Sequence, residues 1–279
     1  MSVIDFRLRP PVGGFLDLLL YTDALRRDRI TRMHGFAPAP SAQARSMDLL
    51  LGEMRKAGVT RGLLPARHSD RLGSIANDEV LRIVRLHPDR FVAAAAVDPG
   101  DRRGARSTIE QAREAGFRAI NFEPGSYPVP MRADDRRLYP VYGYCEDAGL
   151  PAIVMAGGSA GPDLGYTDPV AIDRVAADFP SLRIVISHGG WPWVHQVLHV
   201  AYRRPNVYVS ADQYLANMPG MREYVDAING FLGDRFLYGS SYPFLPVDAC
   251  VEWFRSLPIR PEVMPRVLHD NAAELLGLG

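Results

Sequence analysis

The sequence predicts a single α/β domain folded as a (β/α)8 TIM barrel, and three observations carry that prediction. Eight short apolar runs recur along the chain with helical stretches between them, the alternation that parallel strands with right-handed crossovers require. The 279 residues suit one such barrel, which commonly runs to about 250 residues. The run Ile184 to Ile186 delivers His188 to its carboxyl end, ahead of two glycines and Trp191-Pro-Trp193. Barrels present their titratable groups at strand carboxyl ends in this way.

The elements follow in order. Val3 to Leu8 is the first strand. A long excursion follows, residues 10–57, read as an extra N-terminal insertion with the first helix. That helix ends with Met47, Leu50, Leu51 and Met54 on one face and is stopped by Gly58. Thr60 to Pro65 reads as strand two, and Asn77 to Leu86 as a helix ended by His87-Pro88. Phe91 to Val97 is strand three, Ala105 to Ala115 a helix, and Phe117 to Phe122 strand four. A helix over Tyr139 to Ala148, capped by Gly149, precedes strand five, Pro151 to Met155. Residues 169–179 form the helix before the His188 strand. Val194 to Tyr202 is helical, Asn206 to Ala211 strand seven, Met221 to Phe231 helical and Phe236 to Tyr238 strand eight. Two helices, 247–256 and 261–276, close the bottom. No linker, low-complexity segment or repeat divides residues 1–279.

Lys and Arg total 32 and so do Asp and Glu, so the formal net charge is zero. That balance favours neither nucleic acid nor an anionic membrane surface. No apolar run reaches a bilayer-spanning length, the amino terminus lacks a signal-peptide pattern, and the two cysteines, Cys145 and Cys250, have no CxxC spacing. The expected location is the cytoplasm. The Pro-, Gly-, Leu- and Arg-rich segment 10–46 is expected to cap the barrel mouth or to form a contact between copies in a homo-oligomer.

Chemistry should collect where strands end. Those positions carry Arg7 and Arg9, Arg67 and His68, Asp98, Asn121 and Glu123, Met155, His188, Asp212, and Ser240, Ser241 and Tyr242. The chain resembles the amidohydrolase-related family of the metal-dependent hydrolase superfamily, in its aminocarboxymuconate-semialdehyde-decarboxylase-like branch. Ile4-Asp5-Phe6-Arg7-Leu8-Arg9 stands where that family has Ile-Asp-x-His-x-His. Asn77-Asp-Glu79, His87-Pro-Asp-Arg-Phe91, Leu138-Tyr-Pro140, Ile186-Ser-His188-Gly-Gly-Trp-Pro-Trp193, Tyr238-Gly-Ser-Ser-Tyr-Pro243 and Asn271-Ala272 match further segments in order.

The resemblance implies a barrel enzyme that hydrolyses or decarboxylates a small, often cyclic or aromatic, carboxylate. It also implies a metal site, and there the chain departs. Of the ligand positions only His188 is kept; the strand-one histidines are Arg7 and Arg9, the strand-five histidine Met155 and the strand-eight aspartate Ser241. Guanidinium cannot ligate a divalent ion, and one imidazole makes no zinc site. The expectation is therefore no metal and no cofactor. Arg7 and Arg9 clamp a small-molecule carboxylate or an oxyanion, and His188 is the general acid or base.

Glu123 is a second proton-transfer candidate and Ser241 a nucleophile if His188 reaches it. Asn121, Met155, Trp191, Asp212, Ser240 and Tyr242 complete the expected substrate-binding set. Against this stands an ion network of Arg7 and Arg9 with Glu123 and Asp212 that does no chemistry. His195 and His199, four apart on a helix, read as an exposed face, and Gly157-Gly-Ser-Ala-Gly161 as a flexible loop. Hydrolysis is the leading expectation and decarboxylation the alternative; a metal hydrolase with unusual ligands and a non-catalytic ligand-binding barrel are the others.

Overall fold

The computed structural model describes residues 2–278; Met1 and Gly279 lie outside them. Seven parallel strands form one sheet in sequence order: β1 (Val3–Asp5), β2 (Val59–Pro65), β3 (Phe91–Ala96), β4 (Ala119–Phe122), β5 (Ala152–Met155), β6 (Ile184–Ser187) and β7 (Val207–Ser210). The gap between β7 and β1 is closed by residues 236–238. Leu237 N–H donates to Val209 O at 2.9 Å and Phe6 N–H to Tyr238 O at 2.9 Å. The fold is a TIM barrel. The expected eighth strand is present as a bridge to β7 rather than as a regular strand. Tyr238 N–H turns instead to Val267 O, which takes that donor off the ladder.

β1 also ends earlier than Leu8. The Asp5 carboxylate accepts the Arg7 N–H at 3.1 Å, an Asx-type turn that competes with the ladder. Its effect on facing is large. Ile4 and Phe6 point into the barrel and Leu8 into the outer core, so a straight strand would have sent Arg7 outward with Leu8's neighbours. The turn resets the frame, and Arg7 and Arg9 are both buried.

Apolar side chains divide into two sets as the barrel requires. Ile4, Phe6, Leu63, Val92, Ala94, Ala119, Ile153, Val185 and Leu237 fill the interior, and Ala272, Leu275 and Leu276 of the last helix plug its bottom. The alternate residues of each strand meet the helices outside.

The helices lie close to the boundaries that periodicity predicts: Asn77–Leu86, Arg102–Ala115, Tyr139–Ala148, Pro169–Asp178, Val194–Arg203, Met221–Asn229 and Val247–Arg255. Asn77 is not a cap; its side-chain amide pairs with the backbone of Ala96 at 2.8 and 3.0 Å, pinning the end of β3. The closing helix, expected over 261–276, runs unbroken through Arg266–Asp270, wound as a π-helix, into the α-helix Asn271–Leu276.

Between β1 and β2 run a short turn, Gly13–Asp17, and helices Leu19–Thr22, Ala24–Met33, Pro40–Gln43 and Met47–Ala57. The last is capped by Ser46 and stopped by Gly58 at φ 74°. Among the described residues, no helix is long and apolar enough to cross a membrane. Cys145 and Cys250 are buried and unpaired with each other.

Candidate active site

The strand ends converge on one cavity of about 120 Å³, of the order of a space that holds a small ring. Its polar wall includes Arg9, Arg67, Ser159, His188, Gln213, Tyr214 and Ser241, with Asp23, Arg26 and Arg27 from the segment between β1 and β2; Leu19, Leu20, Ile30, Leu72, Met155 and Phe244 supply apolar surface. Of the residues expected from sequence, the structure brings Arg9, Met155, His188 and Ser241 to the cavity.

His188 follows β6 with φ 63°. Its imidazole Nδ1 lies 3.0 Å from Asp212 Oδ1 and 2.8 Å from Oδ2. Asp212 is therefore the partner of His188 rather than a substrate contact. It fixes the ring and leaves Nε2 for the cavity. Gly189 must be glycine: at φ 58° an added Cβ would lie 2.6 Å from the Tyr224 hydroxyl oxygen and 2.9 Å from Ala211 Cβ. Asp212 and Ser241 also stand at positive φ, 43° and 56°. Left-handed non-glycine residues cost on the order of 1–3 kcal/mol each and gather at working sites.

Burial lowers the His188 pKa below its ordinary value, the Asp212 carboxylate opposes this, and the charges of Arg7 and Arg9 add to the lowering. The free imidazole is neutral at pH 7.

The guanidiniums divide unequally. Arg7 donates to Ser187 Oγ at 3.1 Å and to Glu123 Oε1 at 3.3 Å. Arg67 Nε lies 2.9 Å from Glu123 Oε2. Burial pushes the Glu123 carboxyl up, but Arg67, Arg7 and Arg9 outweigh it and hold it at about 2. Glu123 thus stands as a buried carboxylate between two cations, outside the cavity lining, not poised for proton transfer near neutrality. Arg7 is engaged in that ion pair. Arg9 alone of the strand-one pair reaches the cavity, and its Nε and Nη1 have no hydrogen-bond partner among the described residues. Burial, then Arg7 and Arg67, push its pKa far down; a guanidinium nonetheless keeps its proton. The result is a buried cation that lacks an anion.

Four other expected contacts face elsewhere. Asn121 donates to Ala66 O at 2.9 Å and to Glu123. Ser240 is bound through its hydroxyl and backbone N–H to Asp5, whose carboxyl burial raises to about 6. Tyr242 is buried, with its hydroxyl 2.8 Å from Ser41 Oγ. Trp191 donates to Pro219 O and stacks on Tyr214 at 5.6 Å, behind the cavity wall.

Arg67, Gln213 and Tyr214 are site residues that carried no assigned role in the sequence. Arg67 was visible as a strand end. Gln213 and Tyr214 follow Asp212 directly, and that adjacency was the available signal. Gly157, Ser159 and Ala160 of the glycine-rich loop also line the cavity. His195 is exposed on its helix, and His68 stands at the surface 4.0 Å from Asp98.

The residues do not fit the metal that the resembled family uses. Two guanidiniums, a thioether and a serine hydroxyl surround His188, whose Nδ1 is already committed to Asp212. Among the described residues, no three His, Cys, Asp or Glu side chains group so as to hold an ion.

Comparison with known proteins agrees with this geometry at the level of scaffold. A solved TIM-barrel protein of Bordetella bronchiseptica is 47% identical, with 99% of each chain covered and a TM-score of 0.96. The 2,6-dihydroxybenzoate decarboxylase from Rhizobium shares the fold, with a TM-score of 0.73 at 17% identity over 100% of this chain and 99% of that one. A 2-keto-4-carboxy-3-hexenedioate hydratase from Sphingobium sp. (strain NBRC 103272 / SYK-6) is 29% identical over 134 residues, 41% of this chain. The chain spans 39% of that enzyme's length. The amidohydrolase family model matches residues 4–278, and the chain belongs to that family.

Proposed function

We propose that this protein is a lyase that moves a proton at a carbon of a small, ring-bearing carboxylate, decarboxylation being the reaction best supported, without a metal. One observation carries the reading: the unpartnered Arg9 guanidinium lines the same cavity as His188, whose imidazole Asp212 orients. The structural relative that decarboxylates a dihydroxybenzoate and the partial relative that is a hydratase both support lyase chemistry. Hydrolysis through a Ser241 nucleophile is less well supported, because among the described residues Ser241 Oγ has no hydrogen-bond partner.

In this mechanism Arg9 receives an anionic oxygen of the substrate, with Arg67 adding positive potential. The bound negative charge raises the His188 pKa, so a proton is taken up from solvent onto Nε2. The imidazolium delivers that proton to the carbon bearing the carboxylate. The bond from that carbon to the carboxyl group then breaks, its electron pair returns to the ring, and CO2 leaves. His188 ends neutral.

The deciding experiment incubates the protein with a panel of cyclic and aromatic carboxylates in D2O and follows the products by NMR and mass spectrometry. CO2 release with deuterium at the vacated carbon is the expected result. Ring opening without CO2 would restore the hydrolase reading, and a mass gain of one water would make the protein a hydratase.

Two further outcomes are expected. Arg9→Met should weaken carboxylate binding about 30- to 1,000-fold, since truncating one side of a buried charge contact costs about 2–4 kcal/mol. The same variant should melt at a higher temperature, because it removes an uncompensated buried cation. A variant that binds normally, or that melts lower, contradicts the clamp. Ligand binding should also take up protons near pH 6–7, read by calorimetry as a heat that differs between buffers of different ionisation enthalpy. Affinity should rise as pH falls towards that range, the sign expected when an anion raises a lowered histidine pKa.

A further inference from the structure

We infer that Gln213 is a specificity-determining residue of this cavity, its amide oxygen accepting from a hydroxyl or amino group that the ligand carries beside its carboxylate. The inference builds on the cavity as a carboxylate site and is independent of which bond is broken.

Three cavity residues bear buried polar atoms without a hydrogen-bond partner among the described residues: Arg9 Nε and Nη1, Ser241 Oγ, and Gln213 Oε1. Buried polar atoms are nearly always bonded, so orphans on residues that line one cavity describe the ligand that would complete them. Arg9 and Ser241 can both donate to an anionic oxygen. Gln213 Oε1 is different in kind, because it can only accept. A carboxylate oxygen there would face a carbonyl oxygen, lone pair to lone pair. A ligand that satisfies the whole wall therefore has an anionic end and a separate N–H or O–H donor.

The amide oxygen, buried and without a partner among the described residues, is the Gln213 atom that a ligand would satisfy. The Gln213 side chain is buried beside the Tyr214 ring that follows it in the chain. Tyr214 is itself held, stacked on Trp191 at 5.6 Å with planes 17° apart and edge-on to His188 at 5.3 Å. Gln213 is 6% exposed, so water serves it poorly. It also lies in the turn Asp212–Tyr214, the turn whose first residue orients His188. One short segment thus aims both the proton-transfer group and the acceptor, and the ligand's donor group is expected to lie on the His188 side of the ring.

The test compares binding of benzoate, the three monohydroxybenzoates and the three matching methoxybenzoates by calorimetry. A methoxy group keeps the oxygen and removes the donor. At least one hydroxybenzoate should bind the unsubstituted protein about 10- to 100-fold more tightly than its methoxy partner, the range for a buried acceptor left unpaired. In Gln213→Met that ratio should fall to near one. Gln213→Glu keeps the side-chain shape and an acceptor oxygen, so it should retain the hydroxyl preference that Gln213→Met loses, and it carries the test should Gln213→Met fail to fold.

Benzoate binding with no hydroxyl preference, a preference unchanged in Gln213→Met, or one lost in Gln213→Glu, overturns the role of Gln213 alone. Failure of every benzoate to bind the unsubstituted protein overturns the carboxylate cavity and this inference with it.

Discussion

His188→Gln should fold normally and turn over about 10²- to 10⁴-fold more slowly than the unsubstituted enzyme, the usual contribution of a positioned acid or base. The glutamine amide can still donate to the Asp212 carboxylate, which now accepts from Nδ1, so the buried aspartate keeps a partner. What the amide cannot do is hold and release a proton near neutrality. Substrate affinity should change far less than turnover, because Arg9 is untouched. A fall in affinity matching the fall in turnover would mean that the imidazole binds rather than reacts.

A second readout separates chemistry from structure. Because the folded-state pKa of His188 is lowered, the unfolded chain takes up a proton first as pH falls. Stability attributable to this group is intact above about 6.5 and declines as pH drops through the unfolded value and towards the lowered one. The glutamine variant should lack that part of the acid sensitivity in urea titrations at pH 5–7.

Glu123→Gln should be the most destabilising of the conservative substitutions at the strand ends, by about 3–5 kcal/mol. Arg7 and Arg67 are buried on either side of this carboxylate, at 3.3 and 2.9 Å. Without its charge, three guanidiniums crowd with only Asp212 to offset them. The direction of the pH effect follows from the same contacts. The Glu123 carboxyl is held at about 2 against an ordinary 4.5, a depression corresponding to stability on the order of 3 kcal/mol. A depressed acid stabilises fully above its unfolded value, so this contribution is present above pH 4.5 and lost as pH falls from there towards 2. In the glutamine variant the chain should unfold at a lower temperature at pH 7, and the difference from the unsubstituted protein should shrink as both are taken below pH 4.5. A variant as stable as the parent at pH 7 would show that the arginines find solvent or another partner. Glu123→Gln separates an ion network from a proton-transfer role in another way too: residual activity per folded molecule should stay within about 10-fold, below the range for a lost acid or base.

Much of the barrel was legible before any coordinates. Helices such as Asn77–Leu86 and Tyr139–Ala148 fall where apolar periodicity and their terminal glycine or His-Pro place them, because an amphipathic face and a stop signal are local facts. The interior strand residues, alternating with those that meet helices, follow from the period of two. His188 could be singled out for the same reason: it follows an unbroken buried strand, and chemistry in this fold gathers there.

The division of labour among the charged groups was not legible. Sequence brings Arg7 and Arg9 to the end of one strand, but it cannot tell that Asp5 bends the chain and resets their facing. Nor can it tell that Glu123 takes Arg7 and Arg67 while Arg9 is left without a partner. The pairings depend on distances between residues far apart in the chain, Arg7 and Glu123 being 116 positions apart, and Coulomb energy in a buried site changes steeply over an ångström or two. Asp212 looked from sequence like one more wall residue; only the approach of β6 to β7 made it the partner of His188. The sequence by itself determined a barrel with a histidine and an excess of guanidinium at its mouth. The tertiary structure decided which guanidinium stays unpaired, which carboxylate orients the imidazole and which amide oxygen is buried without a partner, because pairing among buried polar groups is set by geometry that no local pattern encodes.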